Sequence, residues 1–205
     1  RGTTPLRRGG LPPGKALAVL SVLSVQVVVL GALGLALGAQ VVEQRERLGA
    51  WEIDTLVGKG HQGALVSLVE RKSRYTLLQP VAQRLANLVA DATISLLHPF
   101  ANLVHTITGD NGKEFAEHAR IAKILKINFY FAHPYSAWER GTNENTNGLI
   151  RQYFPKKTDL SKVALTETKI AVDRLNHRPR KCLDFKSPFE VFFDPDGDSH
   201  EYYEF

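Results

Sequence analysis

The order of elements along this chain predicts an α/β domain: a mixed five-stranded sheet flanked by helices. Three observations carry that reading. From position 51 onward, apolar runs of strand length come first as a close set of three and then alternate with runs of helical period. The links among the first three are short, which suits an antiparallel meander. The 205 residues, 43% hydrophobic and 23% charged, suffice for one domain and an appendage. A domain of about 150 residues buries about 70% of its unfolded surface, enough for a stable core.

The elements follow in order. Trp51 to Val57 reads as the first strand. Ala64 to Glu70, with the runs Ala64-Leu65-Val66 and Leu68-Val69, is the second. Tyr75 to Val81 is the third, with Pro80 near its end. Leu85, Leu88, Val89, Ala92 and Leu96 recur at helical spacing, predicting a helix over 85–97 that Pro99 closes. Leu103 to Thr108 is a short strand, Phe115 to Lys126 a helix, and Ile127 to Ala132 the fifth strand. Asn143 to Phe154 is helical and stops at Pro155. Thr166-Glu167-Thr168 is an N-terminal helix signal before a helix from Lys169 to Asn176. The tail from Asp194 to Phe205 is acidic and aromatic, without a clear pattern.

The first fifty residues differ in kind. Ala16 to Val42 holds no charged and no aromatic residue, a run longer than the roughly 20 residues that span a bilayer. Arg7, Arg8 and Lys15 precede it, as before a signal peptide or anchor. It lacks the Trp and Tyr belts of membrane interfaces. Residues 1–48 are therefore set apart as an atypical apolar segment, either membrane-like or a frameshifted or degenerate remnant. Residues 49–193 form the core and 194–205 the tail. The chain opens on Arg1 and contains no Met, which suggests a fragment. Its 26 Lys and Arg against 21 Asp and Glu give +5 and a pI near 9.4, which permits a nucleic-acid partner without requiring one. The single Cys182 excludes an internal disulfide and a cysteine-rich zinc site, and points to a reducing compartment.

Three acids stand in distinctive strings. Asp54 lies in the first strand, Asp110 just past the fourth, and Glu144 in the first turn of a helix. Acids gathered from such places suit two Mg²⁺ ions and phosphoryl transfer, because Mg²⁺ takes few carboxylates and leaves the rest of its shell to water and phosphate. The carboxyl end of a strand is also where α/β sheets usually hold ligands. Each acid has an ordinary reading as well. Asp54 could lie on an edge strand, Asp110-Asn111-Gly112 is a common turn, and Glu144 favours a helix N-terminus. Sequence pattern does not fix the face on which Asp54 projects.

Five strings decide between these readings: Trp51-Glu52-Ile53-Asp54-Thr55, Val69 to Tyr75, Thr108-Gly109-Asp110-Asn111-Gly112-Lys113-Glu114-Phe115, Pro134 to Asn145, and Asn147 to Lys156. Together they resemble the integrase core of the IS30 family of bacterial transposases, from about Val42 to Phe193. Asn176 to Arg180 and Ser187 to Phe192 resemble that family's closing segment. The resemblance implies a ribonuclease-H-like fold and an Asp-Asp-Glu triad of Asp54, Asp110 and Glu144 holding Mg²⁺ or Mn²⁺, two ions in all. It implies DNA strand cleavage and strand transfer on transposon ends and target, by a homo-oligomer in the bacterial cytoplasm. A nuclease of the same fold that cuts without joining is the alternative. So is an inactive truncated copy, membrane-associated through residues 16–42. The family carries a helix-turn-helix region and basic linker ahead of the core, and Ala16 to Val42 stands in that place here.

Around the triad, Asn143, Asn147 and Arg151 share one helix face and are candidates for DNA contact, with Lys156, Lys157 and Arg140. Arg71, Lys72 and Arg74 form a basic turn, for which an exposed hairpin is the plainer reading. His133 is read as structural, Trp51 and Trp138 as packing residues, and Glu114 as a capping or surface acid.

Overall fold

The computed structural model of the chain describes residues 47–132 and 141–194. The apolar run Ala16 to Val42, His133, Trp138, Arg140 and the tail beyond Asp194 lie outside the described residues.

Five strands make one sheet. They are β1 (Ala50–Val57), β2 (Ala64–Glu70), β3 (Thr76–Val81), β4 (Thr106–Gly109) and β5 (Asn128–Phe131), in the order β3-β2-β1-β4-β5. The first three form the expected antiparallel meander. The other two run parallel to β1, with Ala50 opposite Thr106 and Glu52 opposite Thr108. Parallel neighbours need crossovers, supplied by α1 (Ala86–Leu97) and α2 (His118–Leu125). Three further helices follow: α3 (Gly141–Tyr153), α4 (Leu165–Asn176) and α5 (Pro188–Phe193).

Side-chain alternation along β1 divides the core. Trp51 and Ile53 join Val66, Leu68 and Ile107, and pack under Val89 and Leu97 of α1, Ile121 of α2 and Phe192 of α5. Leu56 joins Leu65 and Leu78 on the other face, under Ile150, Leu160, Ala171 and Leu175. One helical layer thus covers each side, and a strand buried on both faces reads as an almost unbroken apolar run. That is why β2 is buried at every position. An aromatic group closes the first layer: Phe192 stacks on Tyr75 with centroids 4.5 Å apart and meets Trp51 edge-on at 5.8 Å. Ser187 starts α5 with a capping box, exchanging bonds with Glu190.

The structure departs from several expected boundaries. Pro99 does not stop the chain from coiling; residues His98–Leu103 continue past α1 as a 3-10 helix, since Pro is tolerated in a first helical turn. Leu103 is therefore exposed and β4 starts later, at Thr106. The helix expected over 115–126 is in two pieces. A 3-10 turn covers Lys113–Phe115 and α2 begins at His118, because Glu117 leaves helical geometry at φ −91°, ψ 21°. Lys126 closes α2 in the left-handed region, φ 56°. Pro80 lies inside β3 opposite Leu65, harmless because β3 is an edge strand.

Candidate active site

Strand pairing sets the segments that carry the first two acids side by side. The β1–β4 register ends with Glu52 opposite Thr108; Asp54 lies two residues further along β1, and Asp110 two residues beyond Thr108, just past β4. Adjacent strands lie about 4.8 Å apart. The close approach continues past the last bonded pair, since a Cβ on Gly109 would stand 3.0 Å from Ile53 Cγ2. Asp110 follows the last residue of β4 and accepts from Gly112 N at 3.0 Å, making a turn that fixes its carboxylate. Asp54 shares its face with Glu52 and Leu56, the face that α3 covers.

The helix α3 is laced to β1 along its length. Asn143 N donates to Glu52 Oε2 at 3.0 Å, Asn147 Nδ2 to Asp54 Oδ2 at 2.7 Å, and Arg151 Nη2 to the Val57 carbonyl at 3.0 Å. The spacing is mechanical: four helical residues rise about 6 Å, and two strand residues advance about 6.6 Å. The helix therefore runs in step with the strand, and each turn meets a new β1 position. The second oxygen of Asp54 accepts from Thr55 N at 2.8 Å. Glu144 precedes Asn147 by one turn and is exposed, close in helical phase to the residue that holds Asp54.

The polar stripe of α3 therefore faces the sheet. Asn143, taken from sequence as a DNA-contact candidate, is 1% exposed, with its side-chain amide buried and unpartnered. Arg151 is turned to backbone carbonyls, and burial lowers its guanidinium pKa from the ordinary value. A polar stripe looks the same in sequence whether it meets water or a polar sheet floor. Lys156 and Lys157, by contrast, are exposed just past α3.

Buried charges frame the site. Glu52 is 0% exposed; its Oε1 faces Arg71 Nε at 3.2 Å as an ion pair outside hydrogen-bonding geometry. Burial raises the Glu52 carboxyl above its usual range, against the Asn143 N–H and the Arg71 and Arg74 charges. Arg74 bonds the Thr142 hydroxyl and so ties the β2–β3 turn to the start of α3. Arg71 is buried, which replaces the expectation of an exposed basic hairpin. Glu70, buried at its side, gathers the N–H groups of Gly49, Lys72 and Ser73 and shapes that turn.

Glu114 is likewise no surface acid. It is 4% exposed, accepts from Thr55 Oγ1 at 3.1 Å and pairs with Arg84. A Cβ on Gly112 would meet Glu114 Oε2 at 2.4 Å and Asp110 Oδ1 at 2.8 Å, so only glycine leaves room for both carboxylates. Glu52, Thr55 and Arg84 escaped notice in the sequence. The one local hint is a glutamate between Trp51 and Ile53, since a charge flanked by core residues is rarely buried unless paired. Trp51, fully buried, is the packing residue it was read as. Cys182 is free and exposed.

The donor set is hard oxygen, which suits Mg²⁺ or Mn²⁺. Asp54 and Asp110 supply such oxygens from neighbouring parallel segments. Among the described residues no three His, Cys, Asp or Glu side chains are grouped closely enough to hold a metal.

Residues 44–137 match the integrase core domain family. Two solved structures share the fold. The catalytic core domain of BIV integrase aligns with a TM-score of 0.56 at 19% identity, over 74% of this chain and 98% of that one. A chain of the simian T-cell lymphotropic virus intasome in complex with PP2A regulatory subunit B56 gamma aligns at 0.58 and 20%, over 77% and 59%. The core thus has the ribonuclease-H-like fold of integrase catalytic cores.

Closer relatives narrow the class. The transposase for insertion sequence element IS4351 of Bacteroides fragilis is 48% identical over 153 residues, 75% of this chain and 47% of the relative. Transposase InsI for insertion sequence element IS30A of Escherichia coli K12 is 42% identical over 151 residues, 73% of this chain and 39% of the relative. The core is thus similar in kind to IS30-type transposases. The chain spans less than half the length of these two relatives.

Proposed function

We propose that this chain is the catalytic core of a DNA transposase, a polynucleotidyl transferase that cuts a strand at an element end and joins the freed 3′ end to target DNA. The observation that best supports this is the parallel pairing of β1 with β4, the strands that lead to Asp54 and Asp110, with Glu144 one helical turn from the Asn147 amide that holds Asp54. Asp54, Asp110 and Glu144 are the proposed Mg²⁺ or Mn²⁺ ligands, two ions in all. Bound there, the ions supply positive charge to the reacting phosphodiester and lower the pKa of the attacking hydroxyl or water.

The chain's own residues prepare that chemistry. Thr55 N and Asn147 Nδ2 each hold one oxygen of Asp54, and Gly112 N holds one of Asp110, so both carboxylates are oriented before substrate arrives. In cleavage, water oxygen bonds to phosphorus and the bond to the DNA 3′ oxygen breaks, that oxygen taking a proton. In joining, the same 3′ oxygen attacks a target phosphodiester and displaces another sugar oxygen. Lys156 and Lys157 remain proposed phosphate contacts, with Arg140. For Asn143, Asn147 and Arg151 the proposed role becomes support of the helix that carries Glu144. Two ends must be held together for transposition, so a homo-oligomer on DNA is part of the proposal, as is a cytoplasmic location alongside bacterial DNA. Among the described residues no helix is long and apolar enough to cross a membrane.

The test uses the full chain, labelled element-end DNA and Mg²⁺. Asp54→Asn, Asp110→Asn and Glu144→Gln should each abolish cleavage while DNA binding persists. Undiminished Mg²⁺-dependent strand transfer by Asp110→Asn would refute the assignment. Precut ends incubated with plasmid separate the two activities: joined product identifies a transferase, and its absence alongside cutting identifies a nuclease.

A further inference from the structure

Arg84 lies between β3 and α1, on no element and in none of the strings that mark this chain. Its guanidinium reaches the buried Glu114, while 42% of the side chain stays exposed. Glu114 in turn touches both aspartate-bearing segments. It accepts the hydroxyl of Thr55, the residue after Asp54, and its other oxygen crowds Gly112 beside Asp110 Oδ1. One buried carboxylate thus fastens a half-exposed cation to the rim of the acid site. Arginine offers five donors in a rigid fork. The Glu114 contact engages one end of that fork, and exposure leaves other donors to solvent.

Such a cation has a physical task. A site built from aspartates repels a polyanion, and strand contacts to phosphate are made most effectively by pre-oriented guanidinium groups. Held by Glu114, Arg84 meets phosphate without first losing the freedom of a long side chain. We propose that Arg84 is a DNA phosphate contact beside the reacting bond, with Glu114 as its positioning residue. The inference rests on the DNA-processing reading above, and it assigns a role to two residues outside the triad.

The experiment measures binding of a fluorescent DNA duplex by anisotropy, with the full chain, over a series of salt concentrations and without Mg²⁺. Each phosphate contact contributes about 0.9 to the slope of log affinity against log salt. Arg84→Ala should lower that slope by about one contact. Because this variant strands a buried carboxylate, the double variant Arg84→Ala/Glu114→Gln is measured beside it. There the glutamine still accepts the Thr55 hydroxyl and no charge is left unpaired, and the same loss of slope is expected. Glu114→Gln alone should keep the slope, because the charge remains, but weaken affinity through loss of orientation. An unchanged slope in both Arg84 variants overturns the proposal. If wild type shows no salt-dependent binding at all, the DNA reading itself falls instead.

Discussion

Glu52 joins strand to helix, and its removal gives a measurable prediction. The side chain is 0% exposed, pairs with Arg71 and accepts the Asn143 N–H at the first turn of α3. Glu52→Ala removes one member of a buried ion pair and leaves Arg71, itself 7% exposed, without its counter-charge. Losses of this kind run to about 3–5 kcal/mol. In a domain of this size each kcal/mol lowers the melting temperature by roughly 2–4 °C, so a fall of about 10 °C is expected. Glu52→Gln keeps a neutral acceptor for Asn143 N and should cost about 0.5–1.5 kcal/mol less, the net worth of a neutral hydrogen bond.

The pH dependence has a definite sign. Burial raises the folded carboxyl pKa above 4.5, against the opposing Arg71 and Arg74 charges. The folded state then binds more protons than the unfolded one between the two values. The stability this contributes is fully present below 4.5 and is lost as pH rises through the raised folded pKa. Urea unfolding of wild type and Glu52→Gln from acid to neutral pH checks this. The wild-type advantage should shrink with rising pH across that window. Parallel curves, or a growing advantage, would show that the fold does not disfavour the Glu52 charge.

Other expectations follow from the same contacts. Gly112→Ala forces a methyl to 2.4 Å from Glu114 Oε2 and 2.8 Å from Asp110 Oδ1; strand cleavage should be lost far more than stability, measured by end cleavage beside thermal unfolding. Phe192→Ala opens the aromatic layer shared with Trp51, Tyr75 and Phe100 and should cost about 3–5 kcal/mol in urea unfolding. Asn147→Leu leaves Asp54 Oδ2 without its 2.7 Å donor; cleavage should fall with DNA affinity retained, and unchanged turnover would separate α3 from the site.

Some of this molecule was legible in the sequence by itself. The succession of strands and helices, the meander, and the place of Asp110 beyond a strand end are local properties. They follow from side-chain periodicity and from the turn chemistry of Asn111-Gly112. The five strings were likewise sufficient to name the family of the core. Other features depend on partners distant in the chain. Asp54 could not be given a face until β1 was paired on both sides. Glu52 and Glu114 could not be known as buried until Arg71, Thr55 and Arg84 met them. The stripe of Asn143, Asn147 and Arg151 was amphipathic in either setting. What turned it toward the sheet was the match between helix rise and strand advance once α3 lay along β1, with pairings separated by 91 and 93 residues. Periodicity within an element is set by its own backbone, whereas the surface an element meets is set by the rest of the chain.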